Sequence, residues 1–286
     1  MAIDIEPLKK QLGTKIEDED VVTQAPIRAM IATFDRQDKV PEPGEPIAPG
    51  WHLLYLHSHA RPAQLGRDGA AFEGGVLPKI PMPRRMYAGS TFTFEDDIRV
   101  GDKLRREIEF TDIQLRSGST GTLIVTTQTR RIFTARGLAM TEANSTVFRE
   151  DPKPGEKSGV PVRDAAPADV PWRRTITPNP VMLFRYSAIT FNPHRIHYDR
   201  TYCIETEGYP GLVVHGPFAQ QCIFDLLRDS TPGRKLKTVT VRARAPLFDT
   251  ASFDVIGRPA ADGKGAELWT VTPKGTIAAQ ATATFA

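Results

Sequence analysis

Ser187-Ala188-Ile189-Thr190-Phe191-Asn192-Pro193-His194-Arg195-Ile196-His197-Tyr198-Asp199 is followed sixteen residues later by His215-Gly216-Pro217-Phe218-Ala219. These two stretches hold three of the six histidines of a 286-residue chain. An apolar run of helical character, Val181 to Ile189, leads into the Asn192-Pro193 break. Gly216-Pro217 then reads as a helix start, because proline at the first helical position forfeits no hydrogen bond. Imidazole exchanges protons near neutral pH. A glycine at a helix N-terminus lets a carbonyl oxygen approach free N–H groups, where the helix dipole favours developing negative charge. The chemistry of the chain is therefore expected here.

Working outward from this motif, the two halves of the chain are weak repeats. Ala32-Thr33-Phe34-Asp35 matches Ile189-Thr190-Phe191-Asn192, and each follows an apolar helical segment, Ile27 to Ile31 in the first half and Val181 to Ile189 in the second. Next in each half comes an apolar segment that reads as a buried helix, Trp51 to Leu56 and Phe218 to Leu227. Runs of alternating apolar and polar residues follow at 99–104, 107–113, 121–133 and 138–148, and again at 236–244, 251–256, 266–271 and 276–285. Such alternation predicts strands with one wet and one buried face. Residues 150–171 hold five prolines and few large apolar side chains, as a linker would. The pattern predicts an α+β chain of two units, 1–150 and 172–286, joined by a linker over 151–171. Each unit is an antiparallel meander wrapped around a central helix.

Composition narrows the function. With 40% hydrophobic and 25% charged residues, and no apolar run near the ~18 residues of a membrane span, no membrane partner is expected. The N-terminus lacks the pattern of a secretory signal, and a cytoplasmic location is the expectation. Cys203 and Cys222 are too few for a disulfide framework or a metal site. His52, His57 and His59 lie close together without acidic or thiol ligands beside them, so no metal is assigned. A net charge of +3 suits acidic small molecules but falls short of the concentrated patch that nucleic acid requires.

Motif and repeat together resemble the MaoC-like enoyl-thioester hydratases, whose hot-dog fold would occur here twice in tandem. Their motif runs Asp-x-Asn-Pro-Leu-His-x-Asp, followed by His-Gly at the start of the central helix. Asn192-Pro193, Ile196-His197-Tyr198-Asp199 and His215-Gly216 match it. Two residues, His194 and Arg195, are inserted after the proline, and Thr190 stands where the family has its catalytic aspartate. This variant, with Trp51–Leu56 and Leu77–Gly89, is similar to the branch containing mesaconyl-CoA and itaconyl-CoA hydratases and the fungal-type mitochondrial 3-hydroxyacyl-thioester dehydratase.

The resemblance implies reversible hydration of an α,β-unsaturated acyl-CoA, favouring a short branched C4–C5 dicarboxylic acyl group. Coenzyme A enters as part of the substrate, no separate cofactor is needed, and a homodimer is compatible. Such a reaction needs a base for water, an acid for the α carbon and donors for the thioester oxygen. His197 is assigned as the base, Asn192 orients water or thioester, Thr190 offers a hydroxyl, and Gly216 supplies the helix N-terminus. Because a hydroxyl cannot replace a carboxylate as a base, Glu205 or Glu207 is a candidate to complete the pair, and Asp199 is expected to orient its neighbours or cap the next turn. His194 is assigned to the surface or a supporting position. Arg84, Arg85, Arg195 and His215 are assigned to substrate or coenzyme A. The first half has no counterpart to His197 and is expected to be non-catalytic. The alternatives are a 3-hydroxyacyl-carrier-protein dehydratase acting on long apolar chains, a thioesterase, and a non-catalytic acyl-CoA-binding protein.

Overall fold

Segments of β-branched and aromatic residues dominate both halves, and in the computed structural model they pair into one antiparallel sheet. The structure describes residues 4–71, 75–118, 121–151 and 164–286. The first half contains α1 (Glu6–Lys9), β1 (Lys15–Val21), α2 (Gln24–Thr33), β2 (Arg84–Phe94), β3 (Lys103–Gly118), β4 (Gly121–Thr134) and β5 (Gly137–Arg149). The second contains β6 (Trp172–Ile176), α3 (Pro180–Ile189), α4 (Gly216–Ser230), β7 (Leu236–Ala243), β8 (Phe253–Pro259), β9 (Gly265–Val271) and β10 (Ile277–Phe285). Spatial order is β1-β3-β4-β5-β2-β7-β10-β9-β8-β6, so the halves meet where β2 pairs with β7. Most of the Pro-rich connection, residues 152–163, lies outside the described residues.

The β2–β7 ladder runs from Gly89↔Arg242 to Thr93↔Thr238. At its end Gly89 has φ +147°, and a Cβ there would lie 2.2 Å from the Val241 carbonyl oxygen. Only glycine permits this approach of one backbone to the other. Beside the seam, the Tyr87 hydroxyl of β2 donates to Gln220 Oε1 of α4 at 2.6 Å.

The core sits beneath the second half of the sheet. Every residue of α4 from Phe218 to Leu227 is buried, and the helix packs against β2, β6, β8 and β9. A helix covered on all sides belongs in the interior. The first half departs from expectation, because Trp51–Leu54 is a single 3-10 turn instead of a central helix. Pro46, Pro49 and Gly50, the last with φ +88°, precede it, and Tyr55 returns to extended backbone. Six residues are too few to sustain a helix against such flanks. Trp51, Leu54, Tyr55 and Leu56 are nevertheless buried, so their apolarity reports burial and not helicity.

The repeat is visible in the paired helices. Helices α2 and α3 pack against each other, and each is followed by a residue in the left-handed region, Asp35 and Phe191, both with φ 49°. The alternating runs fall in β3–β5 and β7–β10, except that residues 99–102 form a turn. Strands β1, β2 and β6 are additional to the expected set. Cys203 and Cys222 are buried free thiols, and no described helix is long and apolar enough to cross a membrane.

Gly89→Ala should lower unfolding stability by about 1–3 kcal/mol, the usual cost of forcing atoms into a closed site. Urea unfolding monitored by fluorescence checks this, and an unchanged midpoint would mean the seam tolerates a wider spacing.

Candidate active site

The motif folds as a chain of local hydrogen bonds. Asn179 caps α3 by accepting from the Met182 N–H at 3.0 Å, and Pro180 occupies the first turn. At the other end the Thr190 hydroxyl donates to the Tyr186 carbonyl at 2.6 Å. Thr190 thus spends its proton on the helix end and shows the cavity only lone pairs. Asn192 Oδ1 accepts from the His194 N–H at 3.1 Å, a turn that folds in the inserted residues. Asp199 caps the following turn through the Tyr202 N–H at 3.0 Å and accepts from Arg195 at 2.7 Å. Arg195 also donates to the Arg67 carbonyl at 3.1 Å and covers the Tyr202 ring at 4.1 Å. It clamps the loop and is not among the residues that line the cavity described below.

The three histidines come together. His197 donates from Nδ1 to the Val213 carbonyl at 2.7 Å, which leaves Nε2 as the lone-pair nitrogen. Its ring stacks on His215 at 3.7 Å and meets His194 edge-on at 5.4 Å. His215 bonds Ser187 Oγ at 2.8 Å and is wholly buried against Tyr186. It supports His197 from behind and does not contact the cavity, contrary to its assignment to substrate. His194 is not a surface residue, since its side chain is 12% exposed. Burial first, then its neighbours' charges, pushes His197 and His194 down to about 3, and His215 well below its ordinary value. All three imidazoles are neutral at physiological pH.

A carboxylate reaches this cluster from the first half. Asp68 sits in a tight turn between Leu65 and Ala71, which bridge to each other. Its carbonyl accepts from the Arg195 N–H at 2.8 Å. The next residue, Gly69, has φ +81°, and a Cβ there would lie 2.3 Å from the Pro193 carbonyl oxygen. The turn is therefore seated directly on the motif. Asp68 Oδ2 lies 3.7 Å from His194 Nε2, too far for a direct hydrogen bond but close enough for electrostatic coupling. Arg85 holds this carboxylate from the other side at 3.0 Å and donates to the Ala71 carbonyl at 3.0 Å.

A cavity of about 1030 Å³ opens beside the cluster. Thr190, Asn192, Asp68, Arg85 and Pro217 are in its wall, and the three clustered imidazoles stand behind that wall. Arg84 does not line it: its side chain is 2% exposed and paired with Glu207 at 2.6 Å, while Glu207 also accepts from the Tyr202 hydroxyl at 3.0 Å. Arg84 is thus a buried structural cation, and Glu207 is committed to it instead of to the imidazoles. Gly216 begins α4 as expected, yet its want of a side chain has a further cause, because a Cβ would lie 2.3 Å from the Tyr87 ring. Asp68 escaped the sequence argument because it belongs to the other half and to no local motif. His52 and the exposed ring of Phe191 line the same cavity. Among the described residues, no three or more His, Cys, Asp or Glu side chains are grouped to hold a metal.

A family model, hydroxyacyl-thioester dehydratase type 2, matches residues 50–249. The chain belongs to this family. The activity class is that of a hydro-lyase acting on acyl thioesters. A mesaconyl-C(4)-CoA hydratase of Chloroflexus aurantiacus is 38% identical over 276 residues, covering 95% of both chains. A mitochondrial hydroxyacyl-thioester dehydratase type 2 of Schizosaccharomyces pombe is 39% identical over 74 residues, 25% of each chain. Two solved structures share the fold. A MaoC-like dehydratase from Phytophthora capsici has a TM-score of 0.73 at 12% identity, covering 98% of this chain and 97% of its own. A Mycobacterium tuberculosis protein described as a double hot-dog has a TM-score of 0.58 at 11% identity, with 96% of each chain covered.

Neutral imidazoles in a core have a pH consequence. The folded protein binds fewer protons than the unfolded chain between about pH 6.5 and the depressed folded values, so stability falls with pH across that window. Each such imidazole contributes about 1.4 kcal/mol per pH unit there. Urea midpoints measured from pH 7 to pH 4 should decline steadily, and a flat profile would contradict the buried neutral state.

Proposed function

We propose that this site adds water across the α,β double bond of an acyl-CoA, and removes it in reverse, with Asp68 supplying the carboxylate that position 190 lacks. One observation carries the reading: an amide and a carboxylate from opposite halves share the wall of one cavity, with neutral imidazoles against them. Asn192 and Asp68 hold the water. As its oxygen bonds to the β carbon, its proton passes to Asp68 in the wall and on to the neutral His194–His197 pair behind it. The double-bond electrons move onto the thioester oxygen, facing the N-terminus of α4 at Gly216 and Pro217. Return of a proton to the α carbon completes the addition. Charge that forms on the imidazole is offset by Asp68.

The favoured substrate is a short branched C4–C5 dicarboxylic acyl-CoA, mesaconyl-CoA or itaconyl-CoA. The relative named mesaconyl-C(4)-CoA hydratase, matched over 95% of both chains, supports it. A second reading, dehydration of longer 3-hydroxyacyl chains on a carrier protein, draws on the cavity volume of about 1030 Å³, more than a C4–C5 acyl group fills.

Incubation with crotonyl-CoA, mesaconyl-CoA and itaconyl-CoA should bleach the enoyl absorbance without releasing free thiol, and thiol release would identify a thioesterase instead. Faster turnover of long 3-hydroxyacyl-carrier-protein substrates would favour the second reading. Asp68→Asn and His197→Ala should each lower kcat by roughly two to four decades, the span of a lost proton-transfer group, whereas Thr190→Ser should stay near wild type. If Asp68→Asn keeps more than half the wild-type turnover, the carboxylate lies elsewhere.

A further inference from the structure

Where the second half places α4, the first half leaves its concave sheet face open to the cavity, and that face is not uniformly apolar. Ile108, Ile132, Met82 and Phe148 line it together with Arg106, Arg130, Glu142, Gln128 and His52. Register brings the charged groups together: Arg130 on β4 lies opposite Glu142 on β5 and Ile108 on β3, one position along from Arg106 on the same face.

Glu142 accepts three hydrogen bonds. Oε1 accepts from Ser90 Oγ at 2.8 Å and from Asn144 Nδ2 at 3.4 Å, and Oε2 accepts from Arg130 Nη1 at 3.1 Å. Burial alone would raise its carboxyl, but Arg130 and weaker neighbours hold it below the usual value, so it is ionised. The donors are not saturated. Arg130 Nε and His52 Nε2 are buried without a hydrogen-bond partner. Arg106 donates to both carboxylate oxygens of Asp18, from Nε at 3.0 Å, and burial first, then the like charge of Arg130, lowers its pKa. His52 is pushed down to about 4 by burial and is neutral. This part of the wall therefore holds two guanidinium groups, each paired with a carboxylate, Arg106 with Asp18 and Arg130 with Glu142, and an Arg130 Nε–H that has no acceptor. A buried donor without a partner is costly, and an anionic acceptor relieves it.

We infer that Arg106 and Arg130 form an anion-reading end of the cavity that receives a carboxylate borne at the far end of the acyl group. The inference rests on the acyl-CoA reading above, and it moves recognition of the acyl terminus from Arg84 and Arg85 to the face that lacks a helix. The shared chemistry is an anion, and a phosphate of coenzyme A is its other source.

The test uses trans-2-enoyl-CoAs of four to eight acyl carbons in pairs ending in methyl or carboxylate. Wild type is compared with Arg130→Gln, Arg106→Gln and the double variant Arg130→Gln/Glu142→Gln, which removes both members of the buried pair so that neither charge is orphaned. At the length that spans the cavity, the variants should lower the carboxylate-to-methyl ratio of kcat/KM about tenfold to a hundredfold, chiefly through KM. A ratio unchanged at every length overturns the inference. Equal weakening of both series, matched by weaker binding of free coenzyme A, would assign the arginines to phosphate and overturn it too. Calorimetry of wild type with succinyl-, glutaryl- and adipyl-CoA against butyryl-, valeryl- and hexanoyl-CoA requires no turnover. A preference for the carboxylated ligands there supports the site even if no enoyl-CoA is hydrated, an outcome that would defeat the hydratase reading alone. Lack of any such preference sinks the inference without recourse to a variant.

Discussion

The backbone ladder between β2 and β7 is the constraint on which the rest of the molecule depends. Through it two five-stranded sheets become one ten-stranded sheet, and the close approach at Gly89 sets how near they lie. Tyr87 then reaches α4, filling the space that a side chain on Gly216 would need and bonding Gln220. The turn carrying Asp68 can lie on Pro193 and Arg195 only because the halves are held in this register. Neither half contains the whole site.

Filling differs between the halves. Beneath the second, α4 occupies the concave face with ten consecutive buried residues, Phe218 to Leu227. Beneath the first, no helix among the described residues takes that place, and the sheet retains a cavity wall with Ser90, Asn144, Glu142 and Arg130 linked by hydrogen bonds. A buried polar network is stabilising only when its members are satisfied. The orphaned Arg130 Nε and His52 Nε2 are the exceptions in this wall.

Much of this was legible in the chain. The repeat at Thr33-Phe34-Asp35 and Thr190-Phe191-Asn192 announced the tandem arrangement, and Gly216-Pro217 marked the start of α4. Strands with regular alternation were evident, but β1 was hidden by its composition: Glu17, Asp18, Glu19 and Asp20 carry no apolar alternation, and Arg105 and Arg106 pair with Glu17 and Asp18 across the ladder. Charged residues on an edge strand oppose unwanted pairing and also erase the apolar signal. Strand β2 shows no regular alternation, because it lies at the seam with a strand on either side and its Arg84 and Ser90 are buried. That the chemistry-bearing histidines share one stretch was evident from the motif, but the stacking of His197 on His215 and its contact with His194 were not. Nor was Asp68, since no local pattern encodes a contact between residues 68 and 194.

The helix-free face of the first half separates two kinds of change. The groups around Asn192 and His197 are set by α3, the motif loop and the start of α4 in the second half together with the Asp68 turn of the first, whereas Arg106, Gln128, Arg130 and Glu142 are held on β3, β4 and β5. Strand residues on one face can be exchanged without altering backbone register, provided their volume and polar partners are matched. A chain built this way can change what the far end of its cavity accepts through residues of β3, β4 and β5 while the backbone around the motif stays in place.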